Sequence, residues 1–201
     1  SELRGNGQLI NKKILIESGS FNEDTVTDDL DLSVRLLLYG SEIGILWDPP
    51  VMEEGVENLS ALFAQRQRWA EGGLQRFFDY GDQLLTNKID YLQKFDVTYF
   101  FVLQYALPII SMLDLIISIV LLKSPIYLPI SFTAFTLSGI AFWYGSSCES
   151  EGPVSKNHNS LMIFVSIFYL SHWFLVIPWV TMKMSIFPKK ILWKKTLHKG
   201  V

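Results

Sequence analysis

"SEIGILWDPPVMEEG", residues 41–55, decides how the first half of this 201-residue chain is expected to fold. Its apolar run from Ile43 to Trp47 has the length and composition of a buried strand, and Pro49 and Pro50, which cannot donate to a ladder, stop it. Before it, "TVTDDLDLSVRLLLYG" (25–40) predicts an amphipathic helix over about 29–39, ended by Gly40. After it, residues 58–85 contain no proline, and Leu59, Leu62, Phe63, Trp69, Leu74, Phe77 and Phe78 recur at helical spacing. That stretch predicts one or two helices, broken near Gly72 and Gly73. Helix, strand and helix in alternation is the pattern of the second half of an α/β domain, so an α/β fold is the expectation for residues 1–96.

The character changes after Asp96. Three apolar runs, 97–122, 125–146 and 160–182, are each long enough at about 1.5 Å per residue to cross a hydrocarbon core of about 30 Å. They predict an all-α transmembrane region over 97–182, ahead of a basic tail, 183–201. The second run has no charged residue, and the third has no Asp, Glu, Lys or Arg and a single histidine, His172. The first carries Gln104, Pro108 and Asp114, and an acid at that depth either lies near an interface or faces a polar interior. Pro108 is expected to break this run. With a cytosolic acidic domain and a lysine tail on the same side, the crossings must be even in number, which makes the first run the re-entrant or interfacial one.

Composition agrees with a membrane protein: 49% of residues are hydrophobic, 14% are aromatic, and the mean hydropathy is positive. The net charge of −3 hides an asymmetry, because residues 1–96 carry 17 acidic and 9 basic side chains. The tail carries six lysines (Lys183, Lys189, Lys190, Lys194, Lys195 and Lys199) and no acid. Such a chain suits anionic lipid at one end, and no nucleic-acid partner is expected. Its single cysteine, Cys148, excludes an internal disulfide and fits a reducing, cytosolic face. His158, His172 and His198 are too scattered for a metal site, and Asn58-Leu59-Ser60 is a glycosylation sequon without meaning on a cytosolic face. The opening "SELRGNGQLINKKILIESGSF" has no signal or transit-peptide character, and more chain is expected upstream of it.

Three aspartates, Asp28, Asp29 and Asp31, crowd the start of the first long helix. Helix punctuation accounts for one or two: Thr27 or Asp28 caps the first turn, the acids suit its positive end, and Asp31 pairs with Arg35 one turn on. The third is free for chemistry. Farther along, "AQRQRWAEGGLQRFFDY" (64–80) puts Gln65, Arg68 and Trp69 on one helical patch. One reading is an interfacial helix with arginines on phosphates and the indole at headgroup level. The other is sugar chemistry, in which Trp69 offers a flat apolar face to a pyranose, Arg68 grips diphosphate oxygens, and Gln65 orients a hydroxyl.

T-D-D-x-D at 27–31 followed by Q-x-x-R-W at 65–69 resembles the acceptor half of the inverting family 2 glycosyltransferases. The family's usual form is T-E-D, so Asp28 stands where Glu is common and Asp29 matches the catalytic carboxylate. The likeness covers essentially the whole chain in "GNGQL", "EEGV", "QRQRWAEGGLQRFFDY", "QYALP", "LSHW" and "PKKILWKKTLHKG", which resemble the lipid-glucosylating branch, the cyanobacterial beta-monoglucosyldiacylglycerol synthases. This resemblance implies that residues 1–96 are the acceptor-side half of a GT-A type glycosyltransferase domain. It implies Asp29 as general base, with Asp28, Gln65, Arg66, Arg68 and Trp69 binding substrate. It also implies UDP-glucose as donor, 1,2-diacylglycerol as acceptor, an integral membrane enzyme working on the cytosolic face, and Mg2+ or another divalent cation held by a D-x-D motif that follows a strand and is expected in a nucleotide-binding half upstream of residue 1. Glu53 and Glu54 resemble the family's acidic pair, or are a solvated loop. Crowding by Asp28 and Asp31 is expected to raise the pKa of Asp29 towards that of a working base. A processive polysaccharide synthase would share both motifs but needs more membrane helices, and a non-catalytic membrane-anchored remnant is the reading outside enzymology.

Overall fold

The structure is a computed structural model of the chain and describes residues 2–46, 48–49, 51–86, 89–145 and 160–187. Expectations placed on Trp47, Pro50, Cys148, His158, His198 and the lysines from 189 onward lie outside the described residues. The chain divides into two compact units, Ser1–Tyr99 with Val180–Val201, and Phe100–Trp179.

The first unit is built on two helices that follow a short one, α1 (Lys12–Glu17). In α2 (Asp28–Tyr39), Thr27 takes the extended N-cap conformation, three acids fill the first turn, and Gly40 at φ 87° closes the helix in the left-handed region. Its amide and that of Ser41 turn back onto the last carbonyls, Gly40 to Leu37 at 3.0 Å and Ser41 to Leu36 at 2.9 Å. In α3 (Leu59–Leu85), the Asn58 side chain accepts the Ala61 amide at 2.8 Å, so the sequon asparagine is an N-cap. The expected break near Gly72 and Gly73 does not occur: α3 runs unbroken through both glycines for 27 residues. Gly72 serves close packing instead, because a Cβ there would stand 2.0 Å from Thr27 Oγ1.

The two helices run in the same sense, with Thr27 against Gly72, Asp31 bonded to Tyr80, and Val34 clustered with Leu84. Ile89 completes that buried cluster, and Leu37, Leu38, Phe77, Tyr80 and Val97 pack around it.

The α/β expectation is corrected here, because no residue among those described forms a strand. Residues 41–46, read as the buried strand, are irregular, and Ile45 and Leu46 are 61% and 77% exposed. The physical reason is pairing: an extended segment needs a neighbour to satisfy its N–H and C=O groups, and no described segment forms a ladder with this one. An apolar composition alone does not make a sheet.

The second unit is also helical. A continuous helix from Tyr91 to Leu121, whose residues up to Tyr99 belong to the first unit, comprises α4 (Tyr91–Phe101), a π turn (Val102–Ala106) and α5 (Leu107–Leu121). Pro108 therefore does not break the first apolar run. The carbonyl that a proline ring strikes belongs to the residue four positions back, here Gln104, which lies inside the widened π turn. Among the described residues, Tyr91–Leu121 is the one helix long and apolar enough to cross a membrane.

Helix α5 ends at Leu122, in the left-handed region at φ 53°, and α6 (Tyr127–Gly145) doubles back beside it. Ser111 and Ser131 hydrogen-bond across this hairpin, and the Asp114 carboxylate accepts the Tyr127 amide at 2.8 Å, capping α6. The third apolar run is two helices, α7 (Ser160–Leu170) and α8 (Trp173–Ile186), separated by a turn at Ser171 and His172. Phe135 of α6 meets Phe174 of α8 with ring centroids 4.7 Å apart.

Candidate active site

The three aspartates of α2 divide by environment. Asp31 is 3% exposed and saturated: Arg35 Nε donates to Oδ2 at 2.7 Å, while Tyr80 Oη at 2.9 Å and Asn22 Nδ2 at 3.1 Å donate to Oδ1. Arg35 Nη1 also donates to the Ser18 carbonyl at 2.9 Å. Asp31 is thus a structural anion, tying the loop before α2, α2 itself and α3 together. Asp28 is exposed on the first turn.

Asp29 lies between these extremes, half-buried. Burial pushes its carboxyl above the ordinary carboxylate value of 3.8, the Leu30 amide opposes that, and the negative charges of Asp28 and Glu2 add to it. Of the two neighbours expected to raise it, Asp28 does so, while the second charge acting on it is that of Glu2 and not of Asp31.

Glu2 reaches the site through an N-terminal segment laid across the start of α2. The Leu3 amide donates to Ser33 Oγ at 2.8 Å, and Ser33 Oγ donates to the Asp29 carbonyl at 2.7 Å. Glu2 pairs with Arg76 of α3, which is 4% exposed. Gly5 lies over the carboxylate, where a Cβ would be 3.6 Å from Asp29 Oδ2. This segment thus lies close to one side of the Asp29 carboxylate.

Helix α3 supplies the facing side. At 3.6 residues per turn, Gln65, Arg68 and Trp69 fall within about 60° of Gly72, on the face that meets α2. They precede Gly72, and with α2 and α3 running in the same sense they extend about 4–10 Å beyond the contact, in front of the N-terminus of α2. Arg66 is about 120° from that face. Its guanidinium lies over the Trp69 ring, 4.3 Å from the centroid, a cation–π contact that fixes the indole while leaving it 38% exposed. Gln65, Arg66 and Arg68 are half-buried. Glu53 and Glu54 lie on an exposed irregular segment.

The structure therefore brings the two motifs together through Thr27 and Gly72, and sets Asp29 and the Gln65–Arg68–Trp69 patch at the same end of the helix pair. It adds residues to which sequence reasoning gave no part in the site: Gly5, Glu2, Gly72, Gln75, Arg76 and Tyr80. Gln75, buried in α3, donates from Nε2 to the Asp24 carbonyl at 2.9 Å and steadies the loop before Thr27. Only Gly72 left a signal in the sequence, since a glycine inside an otherwise helical pattern marks either a break or a close approach.

A divalent cation does not fit these residues. Asp31 already accepts three donors, and among the described residues no three His, Cys, Asp or Glu side chains converge as ligands.

Beta-monoglucosyldiacylglycerol synthase of Synechocystis sp. is 39% identical over 202 residues, 98% of this chain and 42% of that protein. The proteins of the same name from Trichormus variabilis and Nostoc sp. are each 36% identical over 203 residues, 99% of this chain and 43% of each relative. The chain thus spans about two-fifths of the length of these relatives. No solved structure matches it. The family model for glycosyl transferase family group 2 matches residues 3–187, nearly the whole chain, and the chain belongs to that family.

Proposed function

We propose that this chain is the acceptor side of an inverting glucosyltransferase that moves glucose from UDP-glucose to 1,2-diacylglycerol at a membrane surface, forming beta-monoglucosyldiacylglycerol. The observation that carries the reading is a half-buried carboxylate of raised pKa, Asp29, at the end of the helix pair where Gln65, Arg68 and Trp69 extend forward. Relatives named as beta-monoglucosyldiacylglycerol synthases support the donor sugar and the lipid acceptor.

Asp29 takes the proton of the acceptor hydroxyl as its oxygen bonds to the anomeric carbon. The bond from that carbon to the donor diphosphate breaks on the opposite face, and UDP leaves with the electron pair. A carboxylate whose pKa burial has raised is a stronger base for this step than a free one, and the α2 backbone holds it in place. Arg68 answers the charge that develops on the diphosphate, Trp69 stacks on a sugar ring, and Gln65 orients a hydroxyl. Arg66 holds the indole by stacking on it. Asp28 stands beside the base, raising its pKa and meeting substrate at the exposed edge of the site. No step is assigned to a metal at these residues.

The acceptor hydroxyl lies at headgroup depth, so the catalytic part must sit on the bilayer, on its cytosolic face in this reading. The apolar helix Tyr91–Leu121 supports that placement, with Leu92, Phe95, Ile116 and Val120 exposed along it.

The test is Asp29→Asn in the full-length protein, assayed with radiolabelled UDP-glucose and diacylglycerol in mixed micelles. Turnover should fall by about 10²- to 10⁴-fold, the usual contribution of a general base. A variant within about tenfold of wild type removes Asp29 from that role. An ethanol-insoluble polymer in place of an organic-soluble glycolipid would instead support a processive synthase.

A further inference from the structure

We infer that Tyr80 is a positioning residue for the transferase reaction, its hydroxyl holding the first turn of α2 on α3 through Asp31 and so setting where Asp29 stands against the Gln65–Arg68–Trp69 patch. This rests on the reading of Asp29 as the base. Tyr80 lies 15 residues beyond Gln65 on α3, at the far side of the Thr27–Gly72 contact, and so does not belong to the patch itself. Its ring packs against the Val34, Leu84 and Ile89 cluster, which fixes where the hydroxyl points. That hydroxyl donates to Asp31 Oδ1 at 2.9 Å.

Asp31 is two residues from Asp29 in the same helical turn, so a shift of one carries the other. The remaining bonds of Asp31 go to Arg35 and Asn22, which belong to α2 and to the loop before it. Among the bonds to this carboxylate, the one from Tyr80 reaches across to α3. The nearby contact, Gly72 on Thr27, is steric, and Thr27 Oγ1 is buried with no hydrogen-bond partner there. A close contact blocks approach but does not stop one helix sliding or turning on another, whereas a hydrogen bond of fixed direction does. A displacement of about 1 Å at a reacting group costs up to about 10²-fold in rate.

Tyr80→Phe tests this in the full-length protein, since it keeps the ring in the cluster and deletes only the donor. Its kcat should fall about tenfold, with KM for UDP-glucose and diacylglycerol within about twofold of wild type. In an Asp29→Asn background the same change should cost nothing further, because it acts through Asp29. Measured at a temperature where near-UV circular dichroism shows both proteins folded, the loss in kcat should persist. A kcat within twofold of wild type, or an undiminished further loss in the Asp29→Asn background, overturns the positioning role while leaving the transferase reading intact. Full activity of Asp29→Asn alone overturns the transferase reading and this inference with it.

Discussion

Gly72 of α3 and Thr27 of α2 approach so closely that a β-carbon on the glycine would stand 2.0 Å from the threonine hydroxyl oxygen, 2.6 Å from its Cγ2 and 2.8 Å from its Cβ. The threonine Cβ is fixed to the backbone and cannot swing away. Gly72→Ala therefore forces the helices apart, and overpacking of this kind costs about 1–3 kcal/mol. Thermal unfolding should show that loss together with reduced transferase activity. Gly81→Ala is the matched control, because nothing lies within 4 Å of a Cβ there and alanine in a helix is favoured by about 0.8–1 kcal/mol. Equal stability of the two variants would contradict the close approach.

Burial, with Asp28 and Glu2 nearby, raises the pKa of Asp29 above its ordinary value of 3.8. A carboxyl whose folded pKa is raised contributes stability fully below its unfolded pKa and loses it as pH rises through the folded value. Asp29→Asn should therefore be more stable than wild type at pH 7, the difference vanishing as pH falls below about 4. In activity, the acid limb of the pH–rate profile should lie above 3.8 in wild type and move lower in Glu2→Gln, which removes one of the charges raising Asp29. An acid limb that stays put in Glu2→Gln would mean that the N-terminal segment does not act on the base.

Asp31→Ala should be among the most damaging single changes in the first unit. It strands Arg35, which is partly buried and bonded through Nε, and leaves the Tyr80 and Asn22 donors without their acceptor. Removing one member of a buried pair typically costs about 3–5 kcal/mol. Urea unfolding measures it, and a loss below about 1 kcal/mol would reduce this network to the worth of a surface pair.

Much of this was legible because it is local. The Asp31–Arg35 pair is four residues apart on one helix, and Gly40 takes the left-handed conformation that few other residues adopt readily, so spacing alone predicts both. Helices α2 and α3 follow from apolar periodicity in the same way. The Ile43–Trp47 strand did not follow, because a strand is a relationship between two segments, and an apolar run states nothing about whether a second edge is present. Pro108 misled for a related reason: proline breaks a regular α-helix, and the π turn at 102–106 that accommodates it is not written in any one residue.

The sequence by itself determined α2 with its acidic first turn and Gly40 stop, the helical run of α3 and the family, since each depends on residues a few positions apart or on motif identity. Tertiary structure alone decided which aspartate is free. Asp28, Asp29 and Asp31 are the same side chain on the same turn, and only Arg35, Tyr80 and Asn22 around one, with Glu2 and Gly5 beside another, separate an anchored anion from a half-buried carboxyl of raised pKa. Charge state is set by the surroundings in space, and the groups that make those surroundings lie up to 49 residues from Asp31 along the chain.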